Sequence, residues 1–140
     1  MANTSKKVKG MKKRADRLAR QVVLERDKTC WRCGAPANTW AHIIRRKAVN
    51  ILWETSNARA MCASCHYSIT NAREGEAWHW INYIGDEEYD RLVALGHADH
   101  PSGFSASTVA RMEWVLADLE GQLETARDPF SWTNPEEGNL

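Results

Sequence analysis

Apolar residues recur along most of this chain at intervals of three and four, the spacing of one face of an α-helix. Met11, Leu18, Val22 and Val23 stand at near-helical intervals among lysines and arginines, which predicts an amphipathic basic helix over 11–25. Residues 1–10 carry Ser, Asn, Gly and lysines with little apolar content and read as a flexible basic tail. The stretch 38–50 is short and mixed. It fits a hairpin or a strand followed by an irregular loop, with Trp40, Ile43 and Ile44 inward. Further helices are predicted at 63–71, at 75–84 with Trp78, Ile81 and Ile84 on one face, and at 87–95 with Tyr89, Leu92 and Val93 inward. Residues 96–103, with small breakers and a proline, make a connection. The longest pattern spans 106–126, where Val109, Met112, Leu116, Leu119 and Leu123 repeat at helical spacing. The end, 129–140, holds two prolines and Glu136-Glu137 and reads as a frayed tail. The organisation expected is a tail (1–10), one domain (11–95), a helical appendage (96–128) and the second tail.

Composition adds little until it is divided along the chain. The 140 residues carry a net charge of +1, 43% hydrophobic and 26% charged residues, which suits one globular domain. Residues 1–60, however, hold 15 of the 19 Lys and Arg and only 4 of the 18 Asp and Glu, a balance of +11, and residues 61–140 carry −10. Such asymmetry points to a polyanionic partner for the first half. No apolar run reaches the ~18 residues of a membrane span, and the basic start lacks the apolar core of a secretory signal. A cytoplasmic protein with no membrane partner is expected. Of the seven tryptophans, Trp40, Trp53, Trp78, Trp80 and Trp114 fall at core-like positions.

In a reducing compartment four cysteines need an explanation other than disulfides. Cys30-Trp-Arg-Cys33 and Cys62-Ala-Ser-Cys65 are two CxxC pairs with 28 residues between them. Two intervening residues let both thiolates of a tight turn point at one ion, and two such turns complete a tetrahedron. Gly34 suits the backbone of such a knuckle. Four cysteines leave no open position, so Cys30, Cys33, Cys62 and Cys65 predict a structural zinc. The long insert between the knuckles is where further chemistry is expected. It contains Ala41-His42-Ile43-Ile44-Arg45-Arg46 and Asn57, and His66 follows the last cysteine directly. His42 has an intrinsic pKa near neutrality and can take a proton from water. His66, fixed by its neighbour Cys65, can hold a second cation. Arg45, Arg46, Lys47 and Arg59 supply charge for a phosphate, and Trp31 is a candidate for stacking on a base.

The order CxxC, His-Ile-Ile, Asn and CxxCH, over about residues 26–71, resembles the HNH endonucleases, also called ββα-metal or His-Me finger nucleases. Ala41–Arg46, Trp53–Asn57 and Gly85–Leu92 are similar to phage recombination nucleases of the NinG type. The resemblance implies an α+β fold: a small zinc-stitched ββα-metal finger flanked by an N-terminal basic helix and C-terminal helices. It implies DNA as substrate and catalytic residues His42, Asn57 and His66. His42 would be the general base, Asn57 would brace the loop that aims it, and His66 would bind a catalytic magnesium or manganese. It also implies a phage-infected bacterium as the setting. One position departs, for the family commonly has Asp or His where this chain has Ala41. The second ligand then falls to Asn71, Asn57 or water. The rival expectations are a zinc-stitched DNA-binding module with a decayed site, a packaging-associated or restriction nuclease, and a structural zinc protein. A homodimer through the C-terminal helix is a further possibility.

Overall fold

The computed structural model describes residues 2–45 and 48–127. Helix α1 (Ala2–Asp27) leads to the first cysteine knuckle, strand β1 (Thr39–His42), single helical turns at Val49–Ile51 and Thr55–Asn57, and strand β2 (Ala58–Met61). Helices α2 (Ala63–Thr70), α3 (Glu76–Ile84), α4 (Asp86–His97) and α5 (Val109–Arg127) follow. The fold is therefore α+β, mainly helical around a small antiparallel pair in which Thr39 faces Met61 and His42 faces Ala58. Among the described residues no helix is long and apolar enough to cross a membrane.

The side chains of a strand alternate, and this pair buries both faces. Ala41, Ile43 and Met61 point into a cluster with Cys30, Cys65, Ile69, Trp80 and Leu92, which joins the sheet to α2, α3 and α4. Ala58 and Ala60 point the other way, against Val23 of α1, with Trp40 beside them. A third cluster runs along α1 and α5, where Val8, Ala15 and Ala19 meet Met112, Val115, Leu116 and Leu119. Lys12, midway along α1, donates to Ser107 just ahead of α5, and Glu25, near the end of α1, meets Arg127 at the end of α5, so the two run in the same direction. The alanines let the axes approach, and each large aliphatic buried there stabilises the pair by ~1.5–3 kcal/mol.

This packing corrects two expectations. Residues 2–10 continue α1 instead of forming a flexible tail, because Val8 is buried against α5 and the lysines around it are good helix formers. Trp78 is 53% exposed, whereas Trp80 is buried. Two positions on a helix lie about 200° apart, so only one of the two indoles can face the core, and the cluster under α2 takes Trp80. Trp114 is likewise outward, its ring edge-on to His100. Helix α5 packs along α1 through the apolar stripe predicted for it. The 129–140 tail lies outside the described residues.

Candidate functional site

The knuckles meet as the spacing requires. The ligand atoms of Cys30, Cys33, Cys62 and Cys65 all lie within 4.8 Å of one another, positioned to hold one metal ion such as zinc. The Gly34 N–H donates to the Cys30 carbonyl at 2.9 Å, and its φ of +77°, costly for other residues, turns the chain so that the Ala35 carbonyl accepts from the Cys30 N–H at 2.7 Å. Cys62 is the N-cap of α2, its sulfur accepting from the Cys65 N–H at 3.5 Å. Burial opposes ionisation of Cys30, but backbone N–H groups of Cys62, Cys33 and Arg32 outweigh it and bring the thiol down to about 6. Cys65 is pushed up to about 12 by burial and by the other three sulfurs. Four thiolates this close repel one another, and a divalent cation reverses that balance.

Two clamps tie the sheet to its surroundings. At the end of α1, Arg26 donates to the Thr55 and Ala58 carbonyls at 2.9 and 2.7 Å, and Asp27 accepts from the Ala60 N–H at 2.9 Å. Asn57 is 1% exposed, and its amide closes on Ile44. Its Oδ1 accepts from the Ile44 N–H at 2.8 Å, its Nδ2 donates to the Ile44 carbonyl at 3.0 Å, and its own carbonyl accepts from Ile43 N–H at 2.8 Å. The chain leaving β1, immediately after His42, is thus pinned by one buried side chain.

Each imidazole is oriented by an oxygen whose role is fixed. His42 Nε2 lies 3.2 Å from the Leu52 carbonyl, which can only accept, so in the neutral ring Nε2 carries the proton and Nδ1 the lone pair. The ring also leans on Trp40 at 4.4 Å between centroids. His66 Nδ1 lies 3.2 Å from Thr39 Oγ1, and that hydroxyl donates to the Met61 carbonyl at 2.7 Å. Thr39 therefore accepts from His66 Nδ1–H, which leaves Nε2 as the basic nitrogen, the arrangement of a metal-binding histidine with a fixed tautomer. Among the described residues no ring contact or hydrogen bond joins His42 to His66. His42 shares a strand face with Trp40, and His66 approaches the opposite face through Thr39.

The remaining predicted residues divide. Ala41 is buried on the α2 side of β1, at the position where the resemblance would put a ligand. Arg45 is exposed, with Nε 3.0 Å from Glu76. Arg46 and Lys47 lie outside the described residues. Arg59 is half-buried instead of projecting toward solvent. One of its terminal nitrogens donates to the Ser56 and Ala58 carbonyls, and its guanidinium lies 5.0 Å over Trp31, which is 43% exposed. Burial lowers its pKa, as does Arg26 nearby. Asn71 sits at the C-cap of α2, its Nδ2 on the Tyr67 carbonyl. Among the described residues the four cysteines are the only group of three or more His, Cys, Asp or Glu able to hold an ion. Sequence reasoning missed Thr39 and the Leu52 carbonyl. Thr39 could have been found from strand parity once β1 was placed, but nothing in the residue letters marks a carbonyl ten residues away. No family model, curated protein or solved structure matches this chain.

Proposed function

We propose that this protein is a metal-dependent DNA endonuclease of the HNH type, built on a zinc-stitched ββα finger. The observation that carries the reading is the setting of His42: a backbone carbonyl holds Nε2–H, so Nδ1 has the lone pair, and Asn57 pins the chain just beyond it. A general base needs this arrangement, with one ring nitrogen held as a donor and the other keeping the lone pair that takes the proton. The succession of β1, β2 and α2 around the four sulfurs supports the finger, and the tautomer of His66 supports Nε2 as the protein ligand of a catalytic cation. With one imidazole from the chain, the rest of the shell falls to water and to phosphate oxygens, which suits magnesium or manganese. When bound, that ion supplies charge stabilisation for the phosphate and the departing 3′ oxygen. His42 takes the proton of the attacking water, an O–P bond forms in line, and the P–O3′ bond breaks, the departing 3′ oxygen taking a proton from solvent. The products carry 5′ phosphate and 3′ hydroxyl ends. A phage recombination or DNA-processing role, a packaging-associated role and a restriction role all fit this chemistry.

A second reading rests on Ala41. A buried methyl where a ligand would stand, and no second ligand cluster among the described residues, favour a zinc-stitched DNA-binding module whose catalytic shell has decayed. One assay separates the two: cleavage of duplex, nicked, branched and single-stranded DNA by pure protein with magnesium or manganese. We expect cutting, lowered at least ~10²-fold in His42→Ala with fold and DNA affinity kept. His66→Ala should be comparably slow and partly restored by excess manganese, while no amount of metal restores His42→Ala. If His42→Ala cuts as fast as the parent, the nuclease reading of this site is wrong.

A further inference from the structure

Helix α1 presents three faces. One, with Val8, Ala15 and Ala19, is covered by α5, and a second, with Val23, lies on the strand pair. The third is solvent-exposed and carries Lys6, Lys9, Lys13, Arg17 and Arg20. At 100° per residue these five fall within an arc of about 80° and span about 21 Å of axis. None of them forms an ion pair among the described residues. The stripe ends at the candidate site: Arg20 donates to the Asn38 carbonyl, one residue before β1, at 2.9 Å. On the adjoining flank Asp16 accepts from Trp53 Nε1 at 2.9 Å, and Trp53 follows the Leu52 whose carbonyl holds His42. On α5, Glu113 and Glu124 are exposed and Glu120 pairs with Arg14 on the flank of α1, so the acidic groups of the helix pair lie outside the stripe.

We propose that Lys6, Lys9, Lys13, Arg17 and Arg20 form a rigid phosphate-binding rail that seats duplex DNA alongside β1. The inference rests on the reading of DNA as the partner. A membrane surface fits poorly, because the apolar face of α1 is already covered by α5 and nothing is left to insert. Single-stranded nucleic acid fits less well than a duplex. Its binding relies on exposed aromatic rings, and the exposed large apolar residues (Trp31, Val49, Tyr67, Trp78, Phe104 and Trp114) all lie off α1. Contacts to phosphate alone position a duplex without reading its sequence.

The test compares the whole protein with K9Q/K13Q and with K9Q/K13Q/A94K/A117K. The last restores the net charge at two exposed helical positions away from the stripe. Binding of a fluorescent duplex is titrated across salt concentrations without divalent ions, so that nothing is cut, and anionic vesicles are titrated alongside. Both variants should bind about 30-fold more weakly at 0.15 M salt, with a salt slope shallower by about 1.8, from ~0.9 per lost phosphate contact. Parent-like affinity in the charge-restored variant would overturn the rail and leave only net charge. So would a parent that prefers the vesicles or binds no duplex. A parent that binds the duplex and loses affinity in both variants, yet never cuts, keeps the rail while the nuclease reading falls.

Discussion

Replacing Asn57 by Ala removes the partners of both backbone groups of Ile44 at once. In the parent the Asn57 amide satisfies the Ile44 N–H at 2.8 Å and its carbonyl at 3.0 Å, from a side chain that is almost wholly buried. Each backbone group left without a partner in a part-buried setting costs ~1–2 kcal/mol, so the loss is about 2–4 kcal/mol. Against a whole-domain stability of ~5–15 kcal/mol this is a large fraction. For a chain of this length it lowers the melting midpoint by roughly 10 °C. The same change frees the backbone beyond His42, and a displacement of ~1 Å at a catalytic group costs about 10²-fold in rate. Calorimetry and a supercoiled-plasmid nicking assay at a temperature where the variant is folded measure the two effects separately. Asn57→Asp refines the test. Its carboxylate keeps the acceptor for Ile44 N–H but turns an oxygen toward the Ile44 carbonyl, and only the protonated acid restores a donor. Its folded pKa should therefore rise above the unfolded value, so this variant alone should gain stability relative to the parent as pH falls toward that raised pKa. A midpoint for Asn57→Ala within about 2 °C of the parent would refute the reasoning, since it corresponds to under ~1 kcal/mol.

Two further outcomes are expected. Cys62→Ala removes one of the four sulfurs and the cap of α2, so zinc content should fall from one ion per chain and the protein should be poorly folded. Structural zinc contributes folding free energy outright, ~10–16 kcal/mol in small domains, and elemental analysis together with circular dichroism checks this. His100 has its pKa lowered, by burial first and then by Arg111. Below the ordinary value of 6.5 the unfolded chain binds a proton that the folded residue resists, so this term destabilises the fold progressively as pH drops through that range. The difference in melting midpoint between pH 7.5 and 5.5 should be smaller in His100→Gln than in the parent, and an equal difference would remove His100 from the account.

Local sequence was enough to place the helices, because apolar spacing at three and four residues is itself a statement about one face of a helix. It located α2, α3 and α4 to within about two residues, and the apolar stripe of α5 was right at Met112, Leu116, Leu119 and Leu123. The cysteine cluster was legible for the same reason, since two CxxC turns leave their sulfurs little choice but one ion. Periodicity identifies a face but does not say which of two faces the rest of the molecule will cover. Trp78 and Trp80 compete for one core position, and contact with α2 and α4 decides for Trp80. Residues 2–10 lack the apolar content to fold alone, and a helix a hundred residues away holds them in α1.

The chemistry divides along the same line. His42, Asn57 and His66 could be singled out from order and residue type. The atoms that give them their orientation come from Leu52, Ile44 and Thr39, at separations of 10, 13 and 27 residues. Arg59 is the converse case, a cation by composition that folding turns inward onto two carbonyls and an indole. A side chain's charge and pKa belong to its residue type, so sequence carries them. The proton on a particular ring nitrogen, and the solvent exposure of a particular guanidinium, depend on which distant groups the tertiary fold brings within about 3 Å.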